Sequence, residues 1–488
     1  CFSGAGCAEL AVHALEHSCD HSCVVFSHAL DFDASARAVY RLHSPKTHLH
    51  NDILDLLPPR IRMKIAGARS FAELQELIVC DKVVLDFKWS GTVVFRFGHL
   101  HIAGPPCIDH SNMGLRRGFN GPTASLFLTW VQAIRIQKPA IVIFENVIGF
   151  PLADLVGLLA DLYDASDAVV NPAEWGWLAH RRRRYVIFTL TSACTLSRPL
   201  VDLNEVVRNL FVPGGVAADL LTDCVSDAPR FGGVRHLAVG HRRNLKSYAC
   251  MSGNGRGFFD LSQIPAYRAR AALARTPLFT LTAHTSRVWA QQAKRLLDIE
   301  ELGAAQGLPT LRRVALGLGL PQLNLNSFSL STASRIIGNG MVLCCVGAVV
   351  TWALKYVKFT KAEARKYTLG PAARNLSALT AGTRAEEEPT WFDRVRLGFS
   401  SETADEREVL AGSLHHQEDE AGGGQELATT TGLASNEPVQ VVDEGDSRGD
   451  REPSVSTSSA TEEVSQARAR AFGPSGECHA SPSVCCGV

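Results

Sequence analysis

Neither an excess of charge, nor a cysteine pattern, nor a membrane-length apolar run marks this chain of 488 residues. Its 49 Lys and Arg balance 49 Asp and Glu, so overall charge selects no class of partner. A nucleic-acid surface would have to come from local segregation of charge. The fourteen cysteines are scattered without repeat spacing and no signal peptide opens the chain. That argues against a disulfide scaffold and for reduced thiols inside a cell. The apolar stretch "MVLCCVGAVVTWAL" (341–354) falls short of the roughly 20 residues a membrane span requires, so a buried helix is expected and no membrane partner. No glycine turn is followed by Gly-Lys-Ser/Thr, which excludes a Walker phosphate loop. "HSCDHSC" (17–23) has no second ligand cluster nearby, so no metal is expected. The chain opens at Cys1 rather than at a methionine and is expected to be a fragment of a longer product.

An apolar share of 46% is enough for a substantial core, and its arrangement gives the class. "CFSG" has the look of a strand end running into the helical "AELAVHALEH". "CVVFSHA" is expected as a buried strand, "ASARAVYRL" as a helix and "HLHIAG" as a further strand. "SLFLTWVQAIRI" carries Leu126, Trp130 and Ile134 at four-residue steps on one helical face. "AIVIFENV" and "RRYVIFTL" are apolar strands. Strands alternating with helices predict an α/β fold, a parallel doubly wound sheet with ligands at the carboxyl ends of its strands. Residues 59–99 break the rhythm and are expected to be an insertion within a catalytic domain spanning 1–190.

The rhythm stops near 191. Between 225 and 297 twelve basic residues, Arg230 to Arg295, are opposed only by Asp227 and Asp260. That segregation suits phosphate contact. "SGNGRGFF" (252–259) reads as a plain turn. Beyond about 357 the chain is acidic, polar and low in complexity, and a disordered tail over 357–488 is expected.

Several residues can carry chemistry. Gly4 and Gly6, after a strand and before a helix, permit close backbone approach to a ligand at a helix N-terminus. "HALDFD" sets Asp31 at the next strand end, where a carboxylate can grip ribose hydroxyls. "HNDIL" sets Asp52 after the third strand. This order describes an adenosine-type pocket without a pyrophosphate cradle. "AGPPCIDH" presents Cys107 on a stiff arm, because Pro105 and Pro106 fix φ and lack backbone donors. Glu145 ends an apolar strand, where a carboxyl is costly unless paired or protonated. "HRRRRYVIF" drives four arginines into a strand; Arg182 and Arg184 would share one face.

In combination these segments resemble the cytosine-5 DNA methyltransferases, over about residues 1–355. The resemblance implies a Rossmann-like methyltransferase sheet, with S-adenosylmethionine bound by Phe2, Gly4, Gly6, Asp31 and Asp52 and by their neighbours Phe32 and Ile53. It makes Cys107 the nucleophile, Glu145 its acidic partner and Arg182 and Arg184 the arginines of the Gln-x-Arg-x-Arg motif. "RLLDIEELGAAQGLP" resembles the Arg-x-Leu-x-x-x-Glu segment, through Arg295, Leu297 and Glu301. "GNGMVLCCVGAVV" resembles the closing Gly-Asn motif, whose Asn339 lies beside the cofactor. The implied layout has a smaller target-recognition region over 191–325 and a helix over 326–356 returning to the catalytic domain. The implied partner is duplex DNA containing cytosine, and a nucleus is the expected location in a eukaryote.

Three departures stand out. Asp31 occupies a position where glutamate is usual, His180 stands for the motif glutamine, and "FNGPTASLF" lacks an arginine ahead of its helix. None removes an essential chemical group. Two rival readings keep part of the pattern: a tRNA-directed cytosine-5 methyltransferase, whose Cys-Phe-Thr signature is absent here, and a non-catalytic nucleic-acid-binding relic. A cysteine hydrolase would leave Asp31 and Asp52 without a role.

Overall fold

The computed structural model describes residues 1–19, 24–79, 83–89, 93–111, 114, 116–210, 234–252, 257–268, 271–273, 276–285 and 287–366. All lie in the unit Cys1–Ala411. The expected disordered tail does not begin at 357, because residues 357–359 pair with 194–196 as a strand and 361–366 form a helix; beyond 366 it lies outside the described residues, as do Arg230, Arg256, Arg270 and Arg275 of the basic stretch.

Helix α1 (Cys7–Cys19) follows the glycine turn. Strand β1 (His28–Leu30) pairs in parallel with β2 (His48–His50), joined by α2 (Ala34–His43). The first residues connect this pair to the main sheet: Ser3 N donates to Leu30 O, and the Cys1 nitrogen lies 2.9 Å from Ile102 O. One expectation fails here. "CVVFSHA" is not a buried strand throughout, since β1 begins only at His28 and Val25 is 88% exposed. An apolar run is held in a sheet by its neighbours, and residues 24–26 lie outside the β1–β2 ladder.

The segment read as an insertion holds α3 (Pro59–Ile65), α4 (Phe71–Ile78) and the hairpin β3 (Lys88–Trp89) and β4 (Val93–Val94). It is not free-standing. Phe71 stacks on Phe119, with ring centroids 4.2 Å apart, and Ile78 is fully buried.

The main sheet has the order β5–β6–β8–β7, formed by Leu100–Ala103, Ile141–Asn146, Arg183–Leu190 and Tyr163–Val170. Every residue of β6 is buried, as a strand covered on both faces requires. Helix α5 (Ala124–Gln137) covers one face: Trp130 stacks on Phe144 and donates to His101 Nε2 at 3.0 Å. Helix α6 (Leu152–Leu159) follows β6. The sheet is not parallel throughout, as was expected. β5 and β6 run together, while β8 runs against both β6 and β7. β8 follows β7 through the short loop 171–182, so it returns antiparallel rather than through a crossover helix.

Strand β9 (Cys194–Leu196) and helix α7 (Leu203–Leu210) leave the sheet. A smaller layer follows: α8 (Val239–Ser252), β10 (Gly257–Asp260), α9 (Pro265–Arg268), β11 (Ala271–Leu273), β12 (Val288–Ala290) and β13 (Arg295–Leu296). Its four strands form an antiparallel sheet over a separate cluster of Leu237, Tyr248, Phe259, Leu261, Trp289 and Leu296. Helices α10 (Ile299–Ala305), α11 (Arg312–Leu318), α12 (Leu330–Asn339) and α13 (Leu343–Tyr356) lead back. α13 packs between α1 and β6, and β14 (Val357–Phe359) pairs with β9 before α14 (Lys361–Lys366). By length and composition Leu330–Tyr356 could cross a membrane, yet 83% of its most apolar window is buried in the protein. Core packing accounts for the run, as expected for 341–354.

Candidate active site

At the carboxyl end of β5 the chain passes through Gly104, Pro105 and Pro106 to Cys107. A Cβ added at Gly104 would lie 2.7 Å from Met341 Cε and 3.2 Å from Glu145 Oε2, so glycine is what lets three segments meet. Asn146 donates from Nδ2 to Pro105 O at 3.2 Å. The Cys107 carbonyl accepts from His110 N and Ser111 N at 3.0 and 2.8 Å, which turns the chain directly behind the thiol. Fully buried Asp109 accepts from Thr123 N and Oγ1 at 3.1 and 2.6 Å. The loop is thereby tied to the start of α5.

Cys107 is partly exposed. Burial pushes its thiol pKa up, Arg183 and Arg181 pull it back, and Glu145 opposes them. Glu145, at the end of β6, has Oε1 3.2 Å from Arg183 Nε. That oxygen is buried and accepts no aligned hydrogen bond among the described residues.

The arginine register needs correction. The pair facing Cys107 and Glu145 is Arg181 and Arg183, not Arg182 and Arg184. Arg182 is exposed, and Arg184 turns to the opposite face with Nε 3.7 Å from Asp167 Oδ2. The reason is strand parity. Tyr185, buried and paired with Glu145 across the ladder, fixes odd-numbered residues on the Glu145 face. Buried Arg181 donates to Leu281 O and Gly338 O, both at 3.0 Å. Burial lowers its pKa to about 10, so it stays charged at neutral pH. His180 is exposed, with Nδ1 3.3 Å from Asn171 Nδ2.

The glycine turn and the acids lie at the ends of the neighbouring strands. Phe2 and Gly4 have left-handed backbones (φ 54° and 56°). An added Cβ at Gly4 meets nothing within 4 Å, whereas one at Gly6 would collide with the rings of His43 and Tyr40. Gly6 therefore serves helix packing, and Gly4 opens onto free space. Asp31 Oδ2 accepts from Gly4 N at 2.7 Å, and Oδ1 accepts from Asp33 N at 2.8 Å. Burial raises its pKa, and these two donors oppose the rise. Phe32 is 78% exposed beside it. Asp52 caps a 3-10 turn by accepting from Leu54 N at 3.0 Å, and Ile53 is buried in the core. Asn339 is exposed at the end of α12. An open glycine, a half-buried carboxylate and an exposed aromatic fit a nucleoside-bearing donor such as S-adenosylmethionine.

Arg295 is not available to phosphate, although the basic stretch includes it. It is 6% exposed and forms two bonds to Glu301, at 2.9 and 2.7 Å. Arg242, Arg243 and Lys246 on α8 are exposed. Among the described residues no group of three or more His, Cys, Asp or Glu could hold a metal ion.

Residues 99–205 match the family model described as C-5 cytosine-specific DNA methylase. No curated protein matches the chain. Among solved structures, Dnmt2 methyltransferase of S. pombe is 13% identical, with 72% of this chain and 96% of that one covered and a TM-score of 0.41. A putative DNA modification methyltransferase encoded within an E. coli prophage is 14% identical, with 73% and 97% covered and a TM-score of 0.44. The methyltransferase EhMeth of Entamoeba histolytica is 14% identical, with 72% and 95% covered and a TM-score of 0.40.

Proposed function

We propose, from the premise that residues 99–205 are a C-5 cytosine-specific DNA methylase segment, that this chain methylates C5 of cytosine in duplex DNA through a covalent adduct at Cys107. The observation that carries the reading is the convergence at one point of the Pro-Pro-Cys arm, the Glu145 carboxyl and the Arg183 guanidinium paired with it. S-adenosylmethionine, the methyl donor of that family, supplies the methyl group when bound. Phe32, Gly4 and Asp31 would hold its adenosine end, with Asp52 and Asn339 at the rim.

Cytosine C5 is a weak nucleophile, and addition at C6 converts the ring to an enamine. Cys107 forms the carbon–sulfur bond to C6 as its thiolate, and the C5–C6 double-bond electrons move into the ring. The Glu145 carboxyl would face N3 and the exocyclic amine of the flipped cytosine and hydrogen-bond that edge as charge develops on the ring. Arg183 pairs with the carboxyl, and its charge favours the Cys107 thiolate. Arg181, tied to two carbonyls, keeps that positive field in place. C5 of that enamine would take the methyl group as the donor's methyl–sulfonium bond breaks and its neutral thioether leaves; loss of the C5 proton to solvent then re-forms the C5–C6 double bond and returns the sulfur as thiolate. The fixed arm limits the sulfur's freedom, which favours attack on a base that must swing out of the duplex. Exposed Arg242, Arg243 and Lys246 supply cations for phosphate contact.

The test is covalent trapping with 5-fluorocytosine, whose fluorine blocks elimination. Incubation with labelled S-adenosylmethionine and a 5-fluorocytosine duplex should give a labelled adduct, lost in Cys107→Ser. An adduct with tRNA alone would move the substrate to RNA. No adduct with either would overturn the catalytic reading.

A further inference from the structure

We infer that Arg335 is a positioning residue of the donor half-site, holding the Asp31 carboxylate in place through Asp33; this rests on reading Asp31 as a contact of S-adenosylmethionine. α12 buries Ala333, Ser334, Ile336 and Ile337. Arg335 is on its exposed side, where Nη2 meets Asp33 Oδ2 at 3.0 Å. Asp33 is committed three ways. Its Oδ1 accepts from Ser35 N at 2.9 Å to cap α2, its Oδ2 takes the Arg335 contact, and its N–H donates to Asp31 Oδ1 at 2.8 Å. Arg37, from α2 itself, holds the Asp31 and Phe32 carbonyls at 2.7 and 2.8 Å. Arg335 adds a hold from an element about 300 residues away along the chain.

The same helix reaches the other half of the site. Gly338, three residues on, gives its carbonyl to Arg181 Nη2 at 3.0 Å, and Arg181 lies in the charge field of Cys107 and Glu145. One turn of α12 thus touches both the loop that carries Asp31 and the arginine beside the nucleophile. The Arg335 side chain is about half exposed, and an ion pair of that kind adds little to global stability. Its consequence is local: without it, the Asp33 N–H that orients Asp31 is secured only from within its own loop.

The experiment uses the whole chain with S-adenosylmethionine as the probe. Arg335→Ala should weaken binding by calorimetry about two- to five-fold, the range an exposed pair can supply. Turnover at saturating donor should stay within about two-fold, and Arg335→Lys should recover most of the affinity. Asp33→Asn, which keeps the N–H and the cap acceptor, should give the same loss, with no further loss in the double variant. In donor-free protein the Asp33 amide should exchange faster with deuterium in Arg335→Ala. Unchanged affinity together with unchanged exchange in a folded Arg335→Ala would overturn the inference, and so would additive losses in the double variant. Failure of the unaltered chain to bind S-adenosylmethionine would overturn the functional reading, and this inference with it.

Discussion

Asn146 gives its side-chain amide to the Pro105 carbonyl at 3.2 Å, so the strand that presents Glu145 also holds the arm that presents Cys107. Asn146 is 1% exposed, and its Oδ1 accepts from Val147 N at 2.8 Å. The Glu-Asn-Val segment thereby combines an acid that faces the ligand with a neighbour that faces the arm. Adjacent strand residues point to opposite sides, which is why one dipeptide can do both.

Asn146→Ala should therefore impair chemistry more than stability. Losing one buried hydrogen bond costs about 1–3 kcal/mol, because Pro105 O is left without that donor. The sulfur loses its fixed position, and adduct formation with 5-fluorocytosine DNA should slow by roughly 10-fold or more. Donor affinity should be unchanged. An adduct rate equal to that of the unaltered chain would mean that the prolines alone position the thiol.

The corrected arginine register makes a sharper prediction. Arg183→Ala should reduce activity by roughly 100-fold, on the scale of losing one electrostatic stabiliser, whereas Arg182→Ala, at an exposed position, should leave it near normal. The pH profile separates a field effect from misfolding. Burial raises the Cys107 pKa and Arg183 is the larger of the two cationic influences that lower it. Removing Arg183 must raise the thiol pKa further. The adduct rate, plotted against pH, should climb at higher pH in Arg183→Ala than in the unaltered chain. A rate lowered equally at all pH values would argue against this role.

How much of this was legible in the sequence depends on which physical signal was strong. The Pro-Pro-Cys arm and the buried run before Glu145 were readable because proline stiffness and continuous burial are local properties. The arginine register was not read from "HRRRR" because four identical residues conceal parity. The face is set by the ladder, which pairs Tyr185 with Glu145, while Val186 and Phe188 are buried as deeply as Tyr185 and Ile187. The reversal of β8 was missed because a buried apolar run carries no mark of direction. Arg335 was invisible for another reason: its partner Asp33 is about 300 residues away, and an isolated basic residue in a helix has no pattern. The pairing of Arg295 with Glu301, in contrast, could be reached from the sequence, since Glu301 stands at the spacing of the family segment.

Arg295 and Glu301 give a stability prediction. The side chains are 7% and 1% exposed. Burial raises the Glu301 pKa while Arg295 opposes it. Glu301→Leu leaves a buried guanidinium without its counter-ion and should cost about 3–5 kcal/mol. The double variant Arg295→Met, Glu301→Leu should recover much of that loss, since apolar replacement of a whole buried pair is often near neutral. Chemical denaturation midpoints measure both. A single variant as stable as the unaltered chain would show that the pair contributes nothing beyond packing.

Acid should weaken the fold through two histidines outside the catalytic face. His43 Nε2 lies 2.7 Å from Ala5 O beneath the glycine turn, and burial lowers its pKa to about 4. His50, on β2, is lowered to about 4 by burial and then by its neighbours His28 and His48; its Nε2 is 3.1 Å from His28 Nδ1. In an unfolded chain both would titrate near 6.5. Above that pH both states hold neutral imidazole and the full stability is present. As pH falls from about 6.5 towards 4, the unfolded chain takes up protons that the folded chain refuses, so stability drops across that window. The thermal midpoint should therefore decline steadily from pH 7 to 5. His43→Gln keeps an amide donor for Ala5 O while removing the titration. It should show a shallower decline even if its midpoint at pH 7.5 is lower. Parallel slopes for the variant and the unaltered chain would exclude His43 as a source of the acid sensitivity.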